Sequence, residues 1–118
     1  MEKSQVLYTA RTHTTGTREN SVARSFELFA EGWSTCFEGA MGILAKKIKI
    51  TLPEELAIHA EVDLCFSATG AYFLKGRLNI YLPGLERDAA QILIDAAHQT
   101  CPYSKAIRGN VEVAINLI

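Results

Sequence analysis

Two cysteines, Cys36 and Cys101, lie in sequence surroundings where a thiol could carry out chemistry. Cys36 falls within the apolar run 26–44, and Cys101 opens the break 101–104 (Cys-Pro-Tyr-Ser) at the end of a second helical pattern. A thiol on a buried helix and a thiol at a helix end could meet as a reactive pair. Such a pair suits peroxide reduction, because an oxidised thiolate gives a sulfenic acid that condenses with a second thiol.

Ordinary packing is the competing interpretation of Cys36. Its neighbours one helical turn away are small, namely Gly32, Gly39 and Ala40. Glycine inside a helix costs about 1 kcal/mol relative to alanine, so this small-residue furrow needs a packing or functional reason. Taken alone, the furrow is more often close helix packing around an inert buried cysteine. The placement of Cys101 before a proline at a helix end favours the reactive interpretation.

The third cysteine, Cys65, falls on the polar side of a strand pattern, near Glu61 and Asp63. Carboxylates raise the pKa of a neighbouring thiol, so we interpret Cys65 as a bystander. The separation of Cys36 and Cys101 matches no zinc-ligand spacing, and no second Cys or His pair completes such a site. The sequence therefore predicts neither a metal nor another cofactor.

Arg18 is the remaining candidate catalytic residue, and it lies in the turn-like segment Gly16-Thr17-Arg18-Glu19-Asn20. A guanidinium close to Cys36 would lower the pKa of the thiol and donate hydrogen bonds to a peroxide oxygen. The alternative is an arginine that is simply solvated in a turn.

The composition limits the class of protein. The 118 residues suffice for one domain, 1–118, and the 48% hydrophobic and 21% charged content is that of a folded soluble protein. A net charge of −1 without a Lys/Arg block argues against nucleic acid and against an anionic membrane surface as partners. Glutamates interrupt the run 26–44, which argues against a membrane span. Three cysteines and no apolar export signal predict the cytoplasm.

The elements that must position these residues follow the order strand, helix, hairpin, helix, strand. Apolar periodicity and turn residues predict them at 5–14, 25–47, 57–68 with 72–82, 86–100 and 111–117. In the hairpin, a loop of residues 68–70 places Glu61 opposite Arg77 and Asp63 opposite Lys75. This order predicts an α+β domain with a mainly antiparallel sheet.

Two further expectations concern the helices. The second helix should turn its apolar residues inward and end at Cys101-Pro102; these residues are Ala89, Ile92, Leu93, Ala96 and Ala97. The long first helix is apolar nearly all round, and one small sheet cannot cover all of its sides. We therefore predict an obligate homodimer in which both sheets enclose the long helices.

The chain resembles the organic hydroperoxide resistance proteins of the OsmC superfamily along nearly its whole length. The resemblance implies an OsmC-like fold and an intertwined dimer. It also implies a thiol peroxidase in which Cys36 is the peroxidatic cysteine, Cys101 the resolving cysteine and Arg18 the active-site arginine. A dihydrolipoyl-type dithiol would be the reductant. The matching segments are Leu7-Tyr8-Thr9-Ala10, Gly16-Thr17-Arg18, the runs from Glu27 to Phe37 and from Ala96 to Ala106, Leu82-Pro83-Gly84-Leu85 and Arg108-Gly109-Asn110.

The connection between Arg18 and the cysteine helix departs from the family pattern, because it is considerably shorter here. The family's active-site glutamate stands ten positions before the cysteine, where this chain has Phe26. Glu27 is its neighbour, about 100° further round a helix. The alternative function is therefore a catalytically impaired dimeric module that binds apolar ligands. A general thiol–disulfide oxidoreductase is a weaker third possibility, because no Cys-x-x-Cys motif is present.

Overall fold

The computed structural model describes residues 4–15 and 21–118. Helices and strands occupy most of residues 21–118. In chain order they are α1 (Ser21–Lys47), β1 (Ala57–Phe66), β2 (Tyr72–Tyr81), α2 (Arg87–Thr100), α3 (Pro102–Ile107) and β3 (Glu112–Leu117). The α+β class predicted from the sequence is confirmed.

The three strands form one sheet in the order β1-β2-β3. β1 and β2 are antiparallel with Glu61 opposite Arg77 and Asp63 opposite Lys75, which is the predicted register. The Ser67 amide donates to the Ala71 carbonyl (2.9 Å) and closes the predicted loop 68–70. β3 runs parallel to β2, because the intervening helices carry the chain back to the start of the sheet. The sheet is therefore mixed, with one antiparallel and one parallel pairing, and is not mainly antiparallel as the sequence predicts.

One face of the sheet packs against α1 and forms the core. The buried stripe of α1 recurs every four residues, at Trp33, Phe37 and Met41, and all three are fully buried. Leu78 and Ile80 of β2 are equally buried. Burying a large apolar side chain stabilises the fold by about 1.5–3 kcal/mol, so this stripe fixes the rotation of α1 on the sheet.

The opposite face of α1 is open in the single chain. Leu28 and Ile43 are 51% and 58% exposed. A Cβ atom built at Gly39 or Gly42 would meet no atom within 4 Å apart from the adjoining backbone of α1 itself. The coverage on all sides that the sequence predicts is thus not supplied by one copy, and the dimer stays a prediction. No helix in residues 21–118 is long and apolar enough to cross a membrane.

The predicted strand at 5–14 is wrong for the described chain. Residues 4–15 are in neither helix nor strand, and every one of them is exposed. The sheet ends at β1 on one side and β3 on the other, so this segment pairs with neither edge. Alternating apolar residues favour a strand only where a partner strand exists.

Two predictions about the second half of the chain are also corrected. Ile92 is 63% exposed, and the inward stripe of α2 consists of Ala90, Leu93, Ile94 and Ala97. This stripe has the i, i+3, i+4, i+7 spacing of a helix face and leads directly to Cys101. Pro102 does end α2, but it also begins the unpredicted helix α3, where proline at the first helical position is favourable.

Candidate active site

The structure brings two of the three candidate residues together. The Cys101 Sγ lies 3.5 Å from the Cys36 Sγ and is directed at it as a hydrogen-bond donor. Cys101 is fully buried, whereas Cys36 is partly exposed, and neither is in a disulfide. A disulfide bond is about 2.05 Å long, so closing this gap needs only a small local movement.

The break between α2 and α3 fixes the position of Cys101. Its amide donates to the Ala97 carbonyl (2.8 Å) as the last bond of α2, and its carbonyl accepts from the Lys105 amide (3.0 Å) as the first bond of α3. Its backbone is extended (φ −60°, ψ 121°), the conformation favoured for a residue before proline. Cys101 is therefore held by both helices and points into the core.

Three further contacts hold α3 against the face of α1 that carries Cys36. The Trp33 Nε1 donates to the Ser104 Oγ at 3.2 Å. The Phe29 and Tyr103 rings pack edge to face with centroids 6.4 Å apart. A side chain at Gly32 would lie 3.3 Å from the Tyr103 ring, so glycine lets that ring come close. On α1 these residues share one face with Cys36, at spacings of three and four.

Burial is the main influence on the Cys36 thiol, and it raises the pKa of Cys36. The backbone amide of Tyr103 acts in the opposite direction and lowers it, while the neighbouring Cys101 thiol raises it further. Since the net direction is upward, the thiolate needs an additional stabilising cation before Cys36 can react quickly at neutral pH.

An open groove of about 740 Å³ reaches the partly exposed thiol of Cys36. Its surface is more apolar than polar, and one acidic residue, Glu31, stands on its wall. Glu27 belongs instead to a separate groove of about 610 Å³ between α1 and β1. The residues that line the Cys36 groove are Tyr8, Leu28, Glu31, Gly32, Thr35, Cys36 and Tyr103.

Arg18, the third predicted site residue, lies outside the described residues.

Cys65 is described and lies on the other side of the sheet from α1. Gly76 of β2 faces Trp33 of α1, so its partner Val62 in β1 faces α1 as well. Successive residues of a strand point to opposite faces of the sheet, and Cys65 is an odd number of positions from Val62, so Cys65 faces away from α1. The structure thus separates Cys65 from the sulfur pair. Among residues 4–15 and 21–118 there is no group of three or more His, Cys, Asp or Glu side chains placed to hold a metal.

Sequence reasoning did not find the residues that join the two cysteine segments. Ser104 is fully buried and bonded to Trp33, and its only sequence signal is a serine placed three residues after Cys101. His98, one turn before Cys101, has a buried Nδ1 with no hydrogen-bond partner among the described residues. Burial, followed by the charge of Arg108, lowers the pKa of His98, so its neutral form is favoured.

Comparison with known proteins identifies relatives over most of this chain. The sequence profile of the family described as "OsmC-like protein" matches residues 18–116. An organic hydroperoxide resistance protein of Xanthomonas axonopodis pv. citri is 34% identical over 137 aligned positions, covering 96% of each chain. That alignment is longer than the 118 residues of this chain, so the relative carries residues without a counterpart here.

Solved structures give the same relationship. The crystal structure of the organic hydroperoxide resistance protein OhrB of Bacillus subtilis superimposes with a TM-score of 0.75 at 35% identity, covering 86% of this chain and 79% of that chain. An organic hydroperoxide resistance protein from Elizabethkingia anophelis gives a TM-score of 0.73 at 39% identity, covering 79% and 66%. The fold of the described residues is therefore that of these proteins.

Proposed function

The chain belongs to the OsmC-like protein family, within its organic hydroperoxide resistance group, and from that premise we propose that it is a thiol peroxidase for organic hydroperoxides. Cys36 is the attacking thiol and Cys101 the resolving thiol. The observation that carries this proposal is the 3.5 Å separation of the two sulfur atoms, one reachable from a groove and the other buried behind it.

The first step is attack of the Cys36 thiolate on the terminal oxygen of R–O–OH. A sulfur–oxygen bond forms and the O–O bond breaks, which gives a Cys36 sulfenic acid and an alkoxide that takes a proton to leave as the alcohol. The Cys101 thiol then attacks the Cys36 sulfur, forms the disulfide and releases water. The short sulfur–sulfur distance supports this second step, because the resolving thiol already stands beside the attacking one.

A dithiol must then return the pair to the reduced state. Thiol–disulfide exchange transfers two electrons from the dithiol to the Cys36–Cys101 disulfide and leaves the reductant as its own disulfide. We take a dihydrolipoyl-type dithiol as that reductant and the cytoplasm as the compartment, in line with the family resemblance.

Organic hydroperoxides suit the groove better than hydrogen peroxide does. Tyr8, Leu28 and Tyr103 give its wall an apolar character. Each methylene group that leaves water for such a surface gains about 0.8 kcal/mol, so alkyl and fatty-acid chains bind more strongly than a peroxide without a carbon chain. Arg18 is the cation we assign to the thiolate, because partial burial raises the pKa of the Cys36 thiol.

A homodimer is the assembly we propose for the active protein. Ile43 leaves apolar surface open on the face of α1 that carries Gly39 and Gly42, and Val6 and Leu7 are more than 80% exposed in the segment 4–15. Large exposed apolar surfaces of this kind mark protein–protein contacts. A second copy that covers them would bury about 2,000 Å² or more in total, and sedimentation should then find no stable monomer at micromolar concentration.

Stopped-flow mixing of the reduced protein with cumene hydroperoxide tests the proposed function. Cys36 should be oxidised faster than free cysteine and faster than it is by hydrogen peroxide, and dihydrolipoamide should restore both thiols. Oxidation no faster than that of free cysteine would overturn the proposal. The chain would then be the impaired dimeric module that binds apolar ligands, for which the residues it lacks relative to the Xanthomonas protein are the specific observation.

A further inference from the structure

A buried hydrogen bond links the two cysteine segments at a point outside the sulfur pair. Trp33 stands three residues before Cys36 on α1, and Ser104 stands three residues after Cys101 on α3. The Trp33 Nε1 donates to the Ser104 Oγ at 3.2 Å across 71 positions of sequence. Both side chains are fully buried.

This bond is costly to lose. Ser104 is the single fully buried polar or charged residue in the described part of the chain. A buried polar group without a partner is strongly unfavourable, and the indole N–H is a donor that water cannot reach here. A sliding or rotation of α3 on α1 would break the bond and leave both groups unpaired. The bond therefore selects one register of α3 on α1.

Gly76 of β2 sets the position of the indole from the other side. A Cβ atom at this position would lie 2.8 Å from Cζ3 and 3.2 Å from Cη2 of Trp33. Real Cβ contacts are not that short, and a rigid ring packed in the core cannot yield as a flexible side chain does. A side chain at Gly76 would displace the indole from the position in which its N–H contacts Ser104.

We propose that Gly76, Trp33 and Ser104 form a positioning relay that holds the Cys101 sulfur against the Cys36 sulfur. None of the three is itself one of the reacting groups. The relay restricts the motion of α3 relative to α1, so the two thiols stay near each other before any bond forms. Its use in peroxide turnover rests on the function proposed above, but the relay itself acts on the thiol pair alone.

The equilibrium constant for forming the Cys36–Cys101 disulfide measures this positioning without a peroxide. It gives the effective concentration of one thiol with respect to the other. The reduced protein is equilibrated with oxidised and reduced dithiothreitol. Oxidised dithiothreitol takes two electrons and two protons from the thiols of Cys36 and Cys101, leaving their disulfide and reduced dithiothreitol. Acid quenching and mass spectrometry then give the equilibrium constant. Cys65→Ser serves as the background, so that no third thiol takes part.

In that background Ser104→Ala should lower the effective concentration about three- to tenfold, because the freed α3 segment must be ordered again when the disulfide forms. A tenfold change corresponds to a disulfide about 30 mV easier to reduce. Ser34→Ala is the matched control. Ser34 is a serine on α1 next to Trp33 whose hydroxyl bonds only within its own helix, to the Glu31 carbonyl at 3.1 Å, and it should leave the equilibrium unchanged.

Gly76→Ala should also lower the effective concentration, although Gly76 makes no polar contact with either cysteine segment. Because Trp33 is the one tryptophan of the chain, its fluorescence reports the displacement directly and should shift in Gly76→Ala. The double variant Trp33→Phe with Ser104→Ala leaves no indole N–H unpaired. It should match Ser104→Ala in effective concentration, and it provides the comparison if the single variant folds poorly.

An unchanged or increased effective concentration in Ser104→Ala and Gly76→Ala would overturn the relay, even with an intact peroxidase. The converse result is equally distinct. If Cys36 proves unreactive towards cumene hydroperoxide while the variants still lower the effective concentration, the relay stands and the proposed function fails.

Discussion

Cys36 and Cys65 are both partly exposed free thiols, yet their surroundings differ. Cys36 has a second sulfur at 3.5 Å and an open groove beside it. Cys65 stands on the outer face of the sheet with the charged residues of β1 and β2, away from α1. Exposure alone therefore does not distinguish the two thiols. What distinguishes them is a partner sulfur held by a separate helix.

The regions around the two thiols are also held together differently. At Cys36, buried apolar side chains and one buried hydrogen bond fix α3 on α1. On the outer face, Arg77 makes a bidentate pair with Asp63 (2.8 and 2.9 Å) in reach of water. Exposed ion pairs contribute about 0–1 kcal/mol each, whereas removing a large core side chain costs about 2–5 kcal/mol. The thiol pair thus sits in the region where geometry is more strongly enforced.

The largest expected difference is between serine substitutions at the two thiols. Cys36→Ser should reduce peroxide turnover to the uncatalysed rate, because a hydroxyl does not form the sulfenic acid on which the reaction depends. Cys65→Ser should retain full turnover. Both are measured with cumene hydroperoxide and dihydrolipoamide. Loss of turnover in Cys65→Ser would remove the distinction between the two regions.

Cys101→Ser should separate the two chemical steps. The first oxidation of Cys36 should still occur, because Cys101 takes no part in the attack on the peroxide. The sulfenic acid then lacks its resolving thiol, so excess peroxide should convert Cys36 to the sulfinic and sulfonic acids. Mass spectrometry of the Cys36 peptide over time measures this. A sulfenic acid that resolves at the wild-type rate would show that another thiol does the work assigned to Cys101.

Arg18→Ala tests the cation that the raised pKa of Cys36 calls for. Loss of a neighbouring positive charge raises a thiol pKa, so the rise of the oxidation rate with pH should move to higher pH. A charge-assisted hydrogen bond contributes about 1.5–3 kcal/mol, so oxidation at pH 7 should slow roughly ten- to a hundredfold. Arg24→Ala, at an exposed arginine of α1, is the matched control. An unchanged pH profile in Arg18→Ala would mean that other donors, including the Tyr103 amide, stabilise the thiolate.

The smallest effect is expected on the outer face of the sheet. The Arg77 guanidinium holds the pKa of Asp63 below its usual range, so the folded state is favoured above the unfolded pKa of the carboxyl group. That contribution disappears as the pH falls through the folded pKa. Asp63→Asn should therefore lower the urea midpoint slightly at pH 7, and the difference from the wild type should shrink as the pH falls through the folded pKa of Asp63, without any effect on the Cys36–Cys101 pair. Glu54→Gln, at an exposed carboxylate outside the Arg77–Asp63 ion pair, is the control.

The sequence was sufficient where periodicity is local and strong. The long helix and the hairpin with its register and loop followed from spacing and turn residues. The strand expected at 5–14 did not form, because pairing depends on a sheet edge that no local pattern shows. The rotation of α2 was missed as well. Alanine and isoleucine occur on both of its sides, and only the packed core decides that Ile94 is buried and Ile92 exposed.

The arrangement around the thiols was predictable only in part, because it depends on long-range contacts. Cys36 and Cys101 were identified as a candidate pair, but their distance comes from packing between helices that are far apart in sequence. Trp33, Ser104 and Gly76 carried no motif of their own. Their connection arises from a hydrogen bond across 71 positions and from the space that a glycine leaves in a neighbouring strand.

Disulfide mapping after treatment with one equivalent of cumene hydroperoxide tests the central claim most directly. The reduced protein is oxidised, free thiols are blocked in acid, and peptides are analysed without reduction. The pair at 3.5 Å predicts that a Cys36–Cys101 disulfide dominates and that Cys65 is recovered as a blocked thiol. A dominant disulfide to Cys65, or oxidised Cys36 with Cys101 still free, would contradict the account.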